Sequence, residues 1–122
     1  IKETMKTENM TSTNGNKVAN QFIISHIDKF GTKIEYFQSY SSIIAQKLHF
    51  KNVGFNIRLD KKYWNYSNTT GKYRNIFLNE TIKDTRKKIK SGEYKLVDLN
   101  INNKVHYHDK LDENGITIKG GI

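Results

Sequence analysis

Apolar residues along this chain recur first with a period of two, then at helical spacing, then with a period of two again. From Val18 to Ile27 the sequence is rich in Phe and Ile, and Asp28 to Gly31 supplies turn chemistry. Thr32 to Gln38 then alternates, Ile34 and Tyr36 on one side and Lys33 and Glu35 on the other, which predicts a β-hairpin. The hydroxyls of Ser39 to Ser42 suit a turn or a short helix, with Ile43, Ile44 and Ala45 following as a buried plug. Phe55, Ile57 and Leu59 alternate with Asn56, Arg58 and Asp60, predicting a third strand with one polar face. Past Tyr63 and Trp64 the period changes. Ser67, Asn68, Thr69 and Thr70 are candidate N-caps for a short helix over 72–79, although Gly71 weakens helix propensity there. Leu78, Ile82, Thr85 and Ile89 lie on one helical stripe, so a second helix is expected, stopped by Ser91-Gly92. The tail alternates again through Val97, Leu99, Ile101, Val105 and Tyr107, and Asn114-Gly115 is the clearest hairpin-turn signal.

Strands, then helices, then strands make an α+β order. The expected architecture is a small antiparallel sheet, built from the 18–38 hairpin, the 55–60 strand and the 94–108 segment, with one or two helices from 68–91 packed on one face. Residues 1–16, mostly Lys, Glu, Thr, Ser and Asn, bury too little to repay ordering and are expected to be a flexible lead. Residues 17–108 would form a single domain and 109–122 a C-terminal hairpin or tail. Ile1 is not a Met and no basic-then-apolar leader opens the chain; Met5 and Met10 are candidate native starts.

Composition narrows the chemistry. The chain has 122 residues, the size of one folding unit, and no Cys, which removes disulfides, thiolate nucleophiles and Cys-ligated zinc. The longest apolar run, around Phe22, is far below the ~18 residues that cross a bilayer, so no membrane partner is expected. The net charge of +9 favours polyanionic partners. That charge is concentrated: residues 51–97 hold twelve basic groups against four acids, whereas 98–122 hold three against four. Eighteen of the 21 basic residues are Lys, and only Arg58, Arg74 and Arg86 offer the planar fork of bidentate recognition, so attraction to phosphates is better supported than sequence readout. A bias toward Asn, Lys and Ile with no Pro would also follow from an AT-rich genome.

Two clusters carry candidate chemistry. On the second helix Lys83, Arg86, Lys87 and Lys90 share one face, with Asp84 the one acid between 83 and 90, as a phosphate-facing helix requires. A solvated helix face is the plain alternative. Upstream, Lys72, Arg74, Tyr63 and Tyr66 lie in a stretch where aromatics alternate with cations, suited to stacking bases and following a phosphate backbone. Trp64 and Phe77 in the same stretch read more readily as core. Thr69-Thr70-Gly71-Lys72 lacks the first Gly and the final hydroxyl of a phosphate loop, which removes nucleotide hydrolysis. His106 and His108 share a strand face but have no further ligand near in sequence, so no metal or other cofactor is expected. Asp60, Glu80, Asp84, Glu93 and Asp98 are scattered singly as caps, turns or Lys partners, and no catalytic residue is assigned.

Lys17-Val18-Ala19-Asn20-Gln21-Phe22, the run from Tyr36 to Ala45, Tyr63-Trp64-Asn65-Tyr66-Ser67, Thr69-Thr70-Gly71-Lys72-Tyr73-Arg74-Asn75 and Thr85-Arg86-Lys87-Lys88-Ile89-Lys90-Ser91-Gly92-Glu93-Tyr94 are distinctive strings. Through them residues 17–100 resemble a family of small proteins encoded by phages and mobile elements of Gram-positive bacteria. The resemblance implies a cytoplasmic protein of the bacterial host cell that handles DNA or blocks host defence, including CRISPR nucleases; it brings no catalytic residue. The expected function is a non-enzymatic module that engages nucleic acid or a nucleoprotein complex through Lys83, Arg86, Lys87 and Lys90, extended by Lys72, Arg74, Tyr63 and Tyr66. A second expectation is an anti-CRISPR-like inhibitor that attaches to a host defence protein, and a third is a metal-independent nuclease using His106 and His108.

Overall fold

Five strands run up and down in chain order: β1 (Thr4–Thr11), β2 (Lys17–Ile27), β3 (Lys33–Ser39), β4 (Ser42–Phe50) and β5 (Gly54–Asp60). Two helices follow, α1 (Asn68–Leu78) and α2 (Ile82–Ser91), and then β6 (Lys95–Val97) joins the same sheet beside β5. The computed structural model describes residues 2–50, 54–100, 110–111 and 117–118, the last four by backbone. Lys110–Leu111 and Thr117–Ile118 pair antiparallel as β7 and β8. The Asn114-Gly115 turn, and most of the alternation expected after residue 100, lie outside the described residues.

The fold is α+β, as the period changes imply; the sheet dominates it, and several particulars differ. Residues 4–11, part of the expected lead, form the edge strand β1, in register with β2 from Thr4 opposite Ile27 to Asn9 opposite Phe22. Backbone bonding to an 11-residue strand holds this edge with one buried side chain, Met10. Of the turn or short helix expected after Ser39 the structure has the turn, at Tyr40 (φ 56°) and Ser41, and the buried Ile43, Ile44 and Ala45 belong to the strand β4 that it launches. The sheet is not wholly antiparallel either, because β6 runs parallel to β5, Leu59 opposite Leu96, after the crossover through both helices.

Both faces of the sheet are apolar at its centre. On the helix side Ile23, Phe37, Ala45, Ile57 and Leu59 meet Tyr73, Phe77 and Leu78 of α1, Ile89 of α2 and Tyr94. On the other side Ile24, Ile34, Tyr36, Ile43 and Leu48 cluster with Leu99. A β-bulge serves both. Phe37 pairs with Ala45 but Gln38 pairs with Ile43, so Ile44 is the extra residue; Ile44 joins the helix-side core and Ile43 the opposite one. The strand 54–60 lacks the expected polar face: Arg58 and Asp60 are buried. Arg58 Nε donates to Gln46 (2.6 Å), whose amide donates to the Tyr36 hydroxyl. Asp60 accepts from the backbone N–H groups of Lys62, Tyr63 and Leu99, tying the end of β5 to the chain leaving β6.

The α1 start follows from hydroxyl chemistry. Ser67 caps the helix by accepting from Thr70 N–H, and the buried Thr70 hydroxyl lies 2.9 Å from that of Ser39 on β3. Ser67→Ala is expected to cost about 1 kcal/mol in chemical denaturation, the usual worth of such a cap.

Candidate nucleic-acid interface

The connection from β5 into α1 is laid over a buried arginine. Arg74 is 1% exposed: one guanidinium nitrogen donates to the Trp64 carbonyl and the Asn65 side chain (both 2.9 Å), the other to Asn75, and its carbon sits 5.4 Å from the Trp64 ring centre. Gly71 lies on this side of α1, where an added Cβ would come within 3.6 Å of the guanidinium. The arginine expected to extend a binding surface is therefore interior, and holds residues 64–65 against the helix. Burial pulls its pKa below the usual guanidinium value, with repulsion from Arg86 adding to it. Trp64 and Phe77 pack on the helix-side core, as core aromatics should.

Helix α2 is set by both of its ends. Thr81 accepts from Asp84 N–H while its hydroxyl donates to the Asp84 carboxylate, a capping arrangement that occupies the acid within the first turn. Gly92 closes the helix at φ 84°, a conformation costly for other residues. With about 100° per residue, Thr85, Ile82 and Ile89 share one side, and Lys83, Arg86, Lys87 and Lys90 occupy an arc of about 100° turned away from it. Thr85 is buried and all four cations are exposed. None of the four is in an ion pair among the described residues, where the Lys-to-carboxylate pairs are Lys6–Glu8 and Lys88–Glu80.

Lys88 points elsewhere, toward Glu80. Glu80, with a side chain 6% exposed, accepts from Lys88 (2.9 Å), the Tyr94 hydroxyl (2.7 Å) and Thr85. This hub pins the end of α1, the body of α2 and the start of β6 together. Burial pushes the Glu80 carboxyl up, but the three hydrogen bonds outweigh it and hold it below the ordinary carboxylate range; the Glu80 bond raises Lys88. Burial, reinforced by Glu80, pushes Tyr94 up to about 12. Since the folded Glu80 value is depressed, its stabilisation is present above the unfolded carboxylate pKa and fades as pH falls through the folded value. Tyr94 works in the opposite sense: its contribution is full below its unfolded pKa near ~10 and is lost as pH rises toward about 12. Denaturation midpoints are expected to fall at both extremes, and Glu80→Gln is expected to flatten the acid limb.

The eight expected surface residues thus separate. Lys83, Arg86, Lys87 and Lys90 come together on α2. Tyr63 and Tyr66 form an edge-to-face pair (5.5 Å) with Lys62 over the Tyr63 ring; Tyr63 packs partly on the core and Tyr66 is exposed. Lys72 sits on the solvent side of α1 above Tyr73, and Arg74 is inside. His106 and His108 lie outside the described residues.

A polar group missed by the sequence reading lies on the helix side of the sheet. His49 Nε2 is 2.6 Å from Glu35, and the His49 ring packs at a tilt against the exposed Phe55, ring centres 5.7 Å apart. Lys47 lies between Phe55 and Phe77 and donates to the Phe77 carbonyl (3.0 Å), so it caps α1. Burial lowers its pKa. The polar members Glu35, Lys47 and His49 come from two adjacent strands in antiparallel register, Glu35 opposite Lys47, a relation legible only once the β3–β4 pairing is known. Phe55 also lines a cleft of about 400 Å³ with Glu80, Asp84, Lys88, Glu93 and Tyr94. Among the described residues no three His, Cys, Asp or Glu side chains converge to hold a metal, and no helix is long and apolar enough to cross a membrane.

Residues 5–94 match the model of a family of unknown function, DUF8033, and the chain belongs to that family. Neither the search of curated proteins nor that of solved structures returned a match.

Proposed function

We propose that this member of the DUF8033 family is a non-enzymatic binding module that engages nucleic acid, alone or within a nucleoprotein complex, through the outer face of α2. The observation that carries the reading is the exposure of Lys83, Arg86, Lys87 and Lys90 on one side of one helix, with the nearest acids, Asp84 and Glu80, already committed to Thr81 and to Lys88, Thr85 and Tyr94. A protein that simply needed solubility would intersperse signs on such a face. Three Lys to one Arg suit phosphate neutralisation without base-specific contacts. Tyr66, exposed beside Tyr63 and Lys62, offers a second contact where a single-stranded base stacks.

A polyanion-facing role fits the setting of phages and mobile elements that the sequence resembles, where the target is nucleic acid or a host defence complex such as a CRISPR nuclease. Fluorescence anisotropy with labelled duplex and single-stranded DNA and RNA tests the reading. Binding that weakens as salt rises supports it; a chain that binds none of these at low salt removes it. Pull-down from nuclease-treated host lysate separates a direct protein target, which survives the treatment, from one bridged by nucleic acid.

A further inference from the structure

We infer that the protein self-associates through the open edge of β1, as a twofold dimer in which two sheets join into one. β1 is eight residues long and, among the described residues, pairs with β2 on one side only, so along its other side the strand presents a row of backbone N–H and C=O groups. Thr4 to Glu8 are exposed, the strand contains no Pro, and its one irregularity falls between Asn9 and Thr11. An edge of this length joins another strand unless something guards it. The sheet's opposite edge, β6, has three residues and offers far less.

Charge selects the occupant. Two copies related by a twofold axis along the sheet normal pair their β1 strands antiparallel, keep both helical layers on the same side, and set residues of the same face opposite one another. A register centred on Lys6 opposes Lys6 to Lys6, and one centred on Glu8 opposes Glu8 to Glu8. Centred on Thr7, the register opposes Lys6 to Glu8 of the second copy twice, with Thr7 beside Thr7 on the axis. Parallel pairing of like edges would again bring Lys6 near Lys6. Within one chain Lys6 and Glu8 already lie 3.8 Å apart with side chains 72% and 55% exposed, available to re-pair across the axis. Lysine on an edge ordinarily repels a second strand; in this one register it is neutralised. The second copy is therefore the partner that fits, and it places both α2 faces on the same side of one continuous sheet. This dimer does not depend on nucleic-acid binding and is measured without it.

The chain has no Cys, so Thr7→Cys introduces a single thiol at the axis. Opposed antiparallel residues have Cα atoms ~4.5–5.5 Å apart, inside the ~4.4–6.8 Å span of a disulfide. Mild oxidation is expected to cross-link Thr7→Cys into a covalent dimer and to leave Met5→Cys, which faces Asn9 of the second copy, monomeric. In sedimentation equilibrium Lys6→Glu and Glu8→Lys are each expected to weaken the dimer about tenfold or more, and the Lys6→Glu/Glu8→Lys double variant to restore it. A wild-type chain monomeric up to about 100 μM, equal cross-linking of the two Cys variants, or a double variant no tighter than the single ones would overturn the proposal. All four positions are exposed, and circular dichroism checks that each variant keeps its fold.

Discussion

Arg74→Met is expected to lower the unfolding free energy by about 3 kcal/mol, read from the urea midpoint at constant m-value. The substitution roughly conserves length but removes the fork that reaches the Trp64 carbonyl, Asn65 and Asn75 at 2.9 Å each. A part-buried carbonyl left without its donor loses up to about 1–3 kcal/mol, and the Trp64 ring loses its cation. Arg74→Lys is expected to recover little, because one ammonium cannot span acceptors on both sides of the fork. A surface arginine would behave differently: truncation away from such contacts usually moves stability by no more than about 0.5 kcal/mol. A value that small would contradict the interior placement.

Reversing Lys87 and Lys90 to Glu is expected to weaken nucleic-acid binding by about a hundredfold at low salt, with the denaturation midpoint unchanged. Each lost phosphate contact removes part of the counterion release that drives association, and each new carboxylate adds repulsion. Both residues are exposed and the side chain of neither is hydrogen-bonded or ion-paired among the described residues, so the fold has little stake in them. The reverse holds for Lys88. Lys88→Glu would face Glu80 and destabilise the domain, so it cannot serve as a binding variant. Lys83→Glu/Arg86→Glu should reproduce the loss of binding from the other end of the arc.

What the sequence made legible was periodic. The 17–39 hairpin, the 54–60 strand and α2 follow from alternation or from the stripe of Ile82, Thr85 and Ile89, and Gly92 ends the helix where glycine should. Helix α1 starts at Asn68, earlier than the expected 72, because the Ser67 cap and the Thr70–Ser39 contact outweigh the weak propensity at Gly71. The missing pieces are those held by partners distant in sequence. β1 has almost no apolar signal because an edge strand is made by its neighbour's backbone. Strand β4 was hidden because Ile43, Ile44 and Ala45 break alternation at a bulge that lets both faces be apolar. Arg74 looked like a surface cation because nothing local shows that Trp64 and Asn65 fold back over it. The cationic face of α2, by contrast, is a property of one helix, and helical spacing alone placed it.

The account rests on that face working as an unopposed cationic surface, and the salt dependence of binding tests it most directly. For a labelled DNA duplex titrated between about 50 and 200 mM salt, a plot of log K against log salt is expected to have a slope near −3 to −4, as four released counterions require, falling by about two units in Lys87→Glu/Lys90→Glu. A wild-type slope near zero, or a variant with the same slope as the wild type, would contradict it.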